Sequence, residues 1–100
     1  MLQIVPSAGS RADFAVIGKL GTNTSSQLQH YVAQLTDEEL GDMRIGLAGC
    51  TFLSSAGLRV IMSLQKRVEC AEGRLVIHGT PPEIMDVFEL VGFDRILTFE

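Results

Sequence analysis

The side chains of this chain that could do chemistry are few enough to weigh individually. Cys50 and Cys70 are candidate nucleophiles or metal ligands, Ser54 and Ser55 are adjacent hydroxyls, and His30 and His78 are candidate bases. A zinc site needs about four ligands, and the cysteines form neither a Cys-x-x-Cys pair nor a paired motif with the histidines. Nucleophilic catalysis by Cys50 or Ser55 needs a base within hydrogen-bond reach and a third group to orient it. The chain shows no signature of such a triad, no Gly-x-Gly-x-x-Gly, no Walker pattern and no His-Glu-x-x-His. Both cysteines fall in apolar contexts and read as reduced, buried thiols. Cys50 is expected at a buried strand end, where thiolate formation is disfavoured. The expectation is a chain without catalytic residues, bound metal or cofactor.

The serine pair is different. It lies in Leu47-Ala48-Gly49-Cys50-Thr51-Phe52-Leu53-Ser54-Ser55-Ala56-Gly57-Leu58-Arg59-Val60, where an apolar strand gives way to a helix. Serine hydroxyls at a helix start accept bonds from backbone N–H groups that have no partner inside the helix. Capping alone explains serines there, so the pair by itself is compatible with a purely structural role. Gly57 could let a partner approach closely or ease helix packing on a strand. Leu58 and Met62 lie four apart and off the main apolar stripe. They read either as peripheral core or as an apolar contact flanked by Arg59 and Lys66.

The elements that must hold this junction follow from punctuation and period. Leu2 to Val5 is a short apolar run stopped by Pro6, an edge-strand pattern. Ser7-Ala8-Gly9-Ser10 is turn-like, and Phe14 to Gly18 can complete a hairpin. Gly21-Thr22-Asn23-Thr24-Ser25-Ser26 is a loop rich in candidate caps. After it, Leu28, Tyr31, Val32 and Leu35 recur with helical spacing, and Gly41 can close that helix. Met43 to Leu47 reads as a strand running on toward Cys50. A second helix starts at Ser54 or Ser55, carries Val60, Ile61, Leu64, Val68 and Ala71 on one face, and ends near Gly73. Leu75 to His78 is a short strand. Pro81 and Pro82 suit the opening of a third helix with a stripe of Ile84, Val87, Phe88 and Val91, ended by Gly92. Ile96 to Phe99 can form a last strand. The predicted order is β-β-α-β-α-β-α-β, a small mixed or parallel sheet with right-handed crossovers and amphipathic helices in one domain, residues 1–100.

Composition sets the remaining bounds. The chain has 100 residues, and domains typically hold roughly 100–150. With 46% hydrophobic and 20% charged residues it is ordinary for a globular domain, which excludes disorder and collagen-like or disulfide-rich scaffolds. A net charge of −4 with scattered basic residues argues against nucleic-acid binding. Ile45 to Leu58 is apolar and free of charge, but it is too short and too rich in Gly, Ser and Thr to span a bilayer. The first residues show no basic segment before an apolar one, so no signal peptide is expected. A soluble chain in a reducing cytoplasm is the expected setting.

The junction also resembles a known signature. It looks like that of STAS domains, and especially of bacterial anti-sigma factor antagonists, whose pattern is an apolar strand, a short turn, and Asp-Ser-Ser/Thr-Gly-Leu opening a helix. Ser54 falls at the aspartate position, and Ser55 falls at the serine that family members have phosphorylated. Ala56, Gly57 and Leu58 complete the pattern, and Ser-Ser-Ala-Gly-Leu-Arg-Val is a familiar variant of it. Gly18-Lys19-Leu20-Gly21 resembles the family's Gly-Glu-Leu-Asp, with Gly21 at its aspartate. Thr24 onward resembles its first helix. Leu75-Val76-Ile77, a proline-containing helix start, and Phe88, Val91, Gly92 and Phe93 resemble its C-terminal half. The resemblance covers nearly the whole chain and implies a STAS-like fold. It implies a partner surface at Gly21, Thr22, Ser54, Ser55, Ala56, Gly57, Leu58, Arg59 and Met62. It implies an anti-sigma factor that is also a serine kinase as partner, phosphorylation at Ser55 as the switch, and a phosphatase that resets it. An accessory STAS subunit of a transporter or sensory complex is the alternative within the same family.

Overall fold

A computed structural model describes residues 2–100, so Met1 of the expected single domain lies outside the described residues. Strands β1 (Leu2–Ser7) and β2 (Ser10–Leu20) form an antiparallel hairpin. Helix α1 (Ser25–Ala33) follows, then β3 (Asp42–Gly46) and β4 (Cys50–Leu53). Helix α2 (Ser55–Cys70), β5 (Arg74–His78), α3 (Pro82–Leu90) and β6 (Thr98–Phe99) complete the chain. The sheet order is β1-β2-β3-β5-β6, with β4 pairing β2. Every pair except β1·β2 is parallel. The mixed sheet and three helices agree with the predicted class.

This order fixes the layering. From β2 onward the chain steps along the sheet in one direction, and right-handed crossovers then place every connecting helix on the same face. Phe14, Val16, Leu20, Met43, Ile45, Leu75 and Ile77 point to that face. They form one core with Leu28 and Val32 of α1, Ile61, Leu64 and Val68 of α2, and Ile84 and Phe88 of α3. Full burial of each such side chain stabilises by about 1.5–3 kcal/mol. Phe14 meets Tyr31 in a tilted pair with ring centroids 4.8 Å apart, Phe88 meets Phe99 edge-to-face at 5.0 Å, and the Tyr31 hydroxyl donates to the Arg11 carbonyl at 2.7 Å. The opposite sheet face carries Val5, Ile17 and Lys19, all exposed.

Several boundaries differ from the sequence reading. Pro6 does not stop β1; it sits on the free edge of the sheet, where its missing N–H is tolerated, and the register shifts just after it. The strand toward Cys50 is broken at Leu47–Gly49, where the Cys50 N–H turns back to the Leu47 carbonyl at 3.0 Å. Beyond the break, β4 rejoins β2 farther along, an extra strand that runs on from β3 along the same flank of β2. Gly18 allows this with a left-handed φ of 103° at the register shift, and its N–H donates to the Gly49 carbonyl at 2.9 Å.

Helix α1 stops at Ala33 rather than at Gly41, because Thr36 and Glu39 build a new start. The Glu39 N–H donates to Thr36 Oγ1 at 3.2 Å and the Thr36 N–H donates to Glu39 Oε1 at 2.9 Å, a reciprocal pair of the capping-box kind that closes the bend leading into the short 3₁₀ turn Glu39–Gly41. Arg11 of β2 grips both Glu39 oxygens at 2.7 and 2.9 Å and holds that carboxyl down at a pKa of about 2. The last strand is shorter than expected: a 3₁₀ turn at Phe93–Arg95 precedes it, and Ile96 is exposed. Val91 leaves the α3 stripe as an exposed cap residue, Ala71 caps α2 while still packing against the core, and Cys70 is exposed rather than buried.

Gly73 joins α2 to β5 directly over the 3₁₀ turn. A Cβ there would stand 2.1 Å from the Leu40 carbonyl oxygen and 2.8 Å from Gly41 Cα, both backbone atoms that cannot rotate away. A Cβ at Gly41 itself meets nothing within 4 Å. Gly73→Ala should therefore lower stability by about 2–3 kcal/mol, while Gly41→Ala stays within about 0.5 kcal/mol of wild type. Urea unfolding midpoints compare the two, and equal losses would contradict the close approach.

Candidate functional site

The serine pair lies where β2 and β4 end and α2 begins. The Leu20 carbonyl accepts from the Ser54 N–H at 2.9 Å, which ties the helix entrance to the last residue of β2. Ser54 then adopts an extended conformation and serves as the N-cap of α2. Its Oγ accepts from the Gly57 N–H at 3.2 Å and its carbonyl accepts from the Leu58 N–H at 2.9 Å. The N–H groups of Ser55 and Ala56 have no protein acceptor among the described residues, as expected for the first residues of a helix. No acidic side chain occupies this first turn. Ser55 is the first helical residue and is exposed.

Gly57 shows why the helix can enter so low over the sheet. A Cβ there would stand 2.7 Å from Leu20 Cγ, 2.9 Å from Leu20 Cδ2 and 3.1 Å from Leu53 Cδ1. Gly57 is buried, so close packing on β2 and β4 accounts for it, rather than the approach of a partner. Leu58 is likewise buried, at 7% exposure, and belongs to the core cluster. Its expected place in a contact surface is therefore corrected: the apolar stripe of α2 is wide enough to include it. Met62 is half-buried against the core, while Ala56 keeps partial exposure and Arg59 is exposed.

The loop after β2 forms the second wall. The Gly21 N–H donates to Thr24 Oγ1 at 2.8 Å, and the Thr24 hydroxyl donates to the Lys19 carbonyl at 2.7 Å. The Gly21 carbonyl accepts from the N–H groups of Thr24 and Ser25 at 3.2 and 2.8 Å. Thr24 occupies the N-cap position of α1, yet its hydroxyl turns back to the loop rather than forward to the helix. Thr22 is exposed at the tip of this rigid turn.

Phe52 was missed in the sequence reading. It is 49% exposed, pairs with Lys19 of β2, and its ring lies 4.0 Å from the position a Gly21 Cβ would take. Strand alternation contains the signal: Leu53 faces the core, so its neighbour Phe52 faces away. Together Gly21, Thr22, Phe52, Ser54, Ser55, Ala56 and Arg59 form one end of the domain, outside the carboxyl ends of parallel strands.

The candidate nucleophiles and bases are not brought together. Cys50 is buried, its Sγ lies 3.3 Å from the Phe52 carbonyl, and desolvation pushes the thiol pKa up. His30 is exposed on α1 and pairs with Gln34 at 3.0 Å, while the His78 ring packs over Gly46. No hydrogen bond links either histidine to Cys50 or Ser55 among the described residues. Clefts of about 570 and 530 Å³ lie elsewhere, the first along Lys66 and Cys70, the second along Ile4 and Tyr31.

The fold and this helix entrance define a STAS domain, and comparison settles the family. The model described as "Mlab, STAS domain" matches residues 5–98, so the chain belongs to the STAS-domain family. BtrV of Bordetella bronchiseptica, named as an anti-sigma factor antagonist, is 30% identical over 76 residues. That match spans 76% of this chain and 66% of BtrV, just under two thirds of the relative's length. An anti-sigma factor antagonist from Mycobacterium paratuberculosis has the same fold, with a TM-score of 0.80 at 17% identity over 99% of this chain and 83% of its own. The antagonist SpoIIAA, solved unphosphorylated, superposes with a TM-score of 0.73 at 14% identity, covering 100% of this chain and 88% of SpoIIAA. The phosphorylated form of Bacillus SpoIIAA gives 0.67 at 14% identity, covering 100% and 91%. No helix among the described residues is long and apolar enough to cross a membrane.

Ser54→Ala removes the side-chain cap and should lower stability by about 1 kcal/mol. Ser54→Asp keeps an acceptor and adds a favourable charge at the helix start, so it should hold or raise the unfolding midpoint. Thermal unfolding of both variants decides this, and a neutral Ser54→Ala would contradict the capping role.

Proposed function

We propose that this chain is an anti-sigma factor antagonist whose contact surface is the exposed end built on Ser55. In its unmodified state it binds an anti-sigma factor that is also a serine kinase, and a sigma factor is released. Phosphorylation of Ser55 breaks the complex and a phosphatase restores it. The setting proposed is the bacterial cytoplasm. The observation that carries this reading is the exposed Ser55 hydroxyl at the first position of α2, in a turn with no acidic side chain.

The physical logic is a change of surface rather than of fold. A phosphate there brings a charge of about −1.5 to −2. Free N–H groups and the helix dipole favour an anion at that point, so the domain stays folded. A partner docked on Phe52, Ser55 and the Gly21–Thr22 turn would have to bury that charge. Each 1.4 kcal/mol of added desolvation or repulsion lowers affinity about tenfold. The domain itself performs no reaction in this scheme; it is a kinase substrate and a binding partner.

The test is a binding titration of the cognate kinase-type anti-sigma factor with wild type, Ser55→Ala and Ser55→Asp, beside phosphate mapping after incubation with that kinase and ATP. Ser55→Ala should bind like wild type and resist modification, and Ser55→Asp should bind at least about tenfold more weakly. Equal affinity of all three proteins with no phosphate on Ser55 would overturn the proposal. Co-purification of a transporter ATPase instead would favour an accessory STAS subunit.

A further inference from the structure

Arg59 lies one helical turn beyond Ser55 on the exposed face of α2, and it has no ion-pair or hydrogen-bond partner among the described residues. Residues four apart on a helix are neighbours, with Cβ atoms about 5–6 Å apart. Each Cα–Cβ bond tilts toward the helix N-terminus, so a long side chain covers the turn before its own. A guanidinium at position 59 can therefore reach the side chain at position 55. The other basic neighbour of the site, Lys19, lies on β2 with its side chain on the open face of the sheet opposite Phe52. The first turn of α2 holds no carboxylate that would compete for Arg59.

We infer that Arg59 is the intrachain counter-ion of a phosphate carried by Ser55. This rests on the modification proposed above and specifies how it works. In the unmodified protein Arg59 is a free cation on the contact surface, open to a carboxylate of the partner. Once Ser55 is phosphorylated, the guanidinium turns to the phosphate through charge-assisted hydrogen bonds. One event then adds an anion and withdraws a cation, taking the local charge from +1 to between about −0.5 and −1. The switch becomes sharper than the phosphate alone would make it, and the phosphate is held against its own helix rather than swinging free.

The test needs no kinase. Phosphoserine is placed at position 55 by genetic code expansion, in wild type, Arg59→Gln, Arg59→Lys and Lys19→Gln, each beside its unmodified counterpart. In wild type the phosphate should raise the thermal midpoint by about 2–4 °C. Arg59→Gln should lose at least half of that gain, Arg59→Lys should keep most of it, and Lys19→Gln should keep all of it, which isolates the coupling. The Arg59 Nε–H resonance should shift on phosphorylation of wild type. An equal gain in Arg59→Gln, a gain lost only in Lys19→Gln, or an unmoved Arg59 resonance would each overturn the inference. If the natural kinase leaves Ser55 untouched, the regulatory proposal fails while this coupling can still be measured, so the two failures are distinguishable.

Discussion

The structure turns on one close approach, the seating of the first turn of α2 on Leu20 and Leu53. Gly57 has no room for a Cβ there, and the Ser54 N–H is pinned to the Leu20 carbonyl. The entry point of the helix is thus fixed by backbone against buried side chains, in a region of native packing density where small shifts are resisted. With the entry point fixed, the other features of the site follow. Ser54 must cap, Ser55 must face outward, and Leu58 must turn inward to complete the core. Ser55 is exposed there, so the phosphate proposed for it would alter what the domain presents rather than how it is built.

The sheet supports that seat through its direction of travel. Because successive parallel strands advance one way, all three helices lie over one face, and α2 reaches it where β2 and β4 end together. The break at Leu47–Gly49 matters for the same reason. It separates β3 from β4, so that β4 ends level with Leu20 and delivers Leu53 beneath Gly57 and Phe52 onto the outer surface. The reciprocal bonds of Thr36 and Glu39, with Arg11 across them, close the opposite end of the domain and leave the site end to the Gly21 turn.

Much of this was legible in the residues. Helical spacing at Leu28, Val32, Ile61, Leu64, Ile84 and Phe88 located three helices and their buried faces, because burial and period coincide there. The Ser54-Ser55 junction marked the entrance of the second helix, and the family resemblance pointed to the fold. What was not legible arose from contacts distant in sequence. The break before Cys50 depends on bonds from Gly18 to Gly49 and on a register shift along β2, neither of which leaves a periodic trace. The early end of α1 was written in Thr36-Asp37-Glu38-Glu39, a capping-box pattern that went unread because Leu35 and Leu40 continued the apolar pattern. Leu58 was ambiguous because a wide apolar stripe and an exposed apolar contact look alike in sequence. Phe52 was readable from alternation but only once β4 was known to be a strand.

The central claim is that phosphate at Ser55 remodels a surface and leaves the fold intact. Amide spectra of the protein with serine and with phosphoserine at position 55 test it most directly. Shifts confined to Gly21–Thr24 and Phe52–Arg59, with Val16, Ile45 and Ile77 unmoved, are the result predicted. Shifts spread through those core strands, or loss of their dispersion, would contradict it.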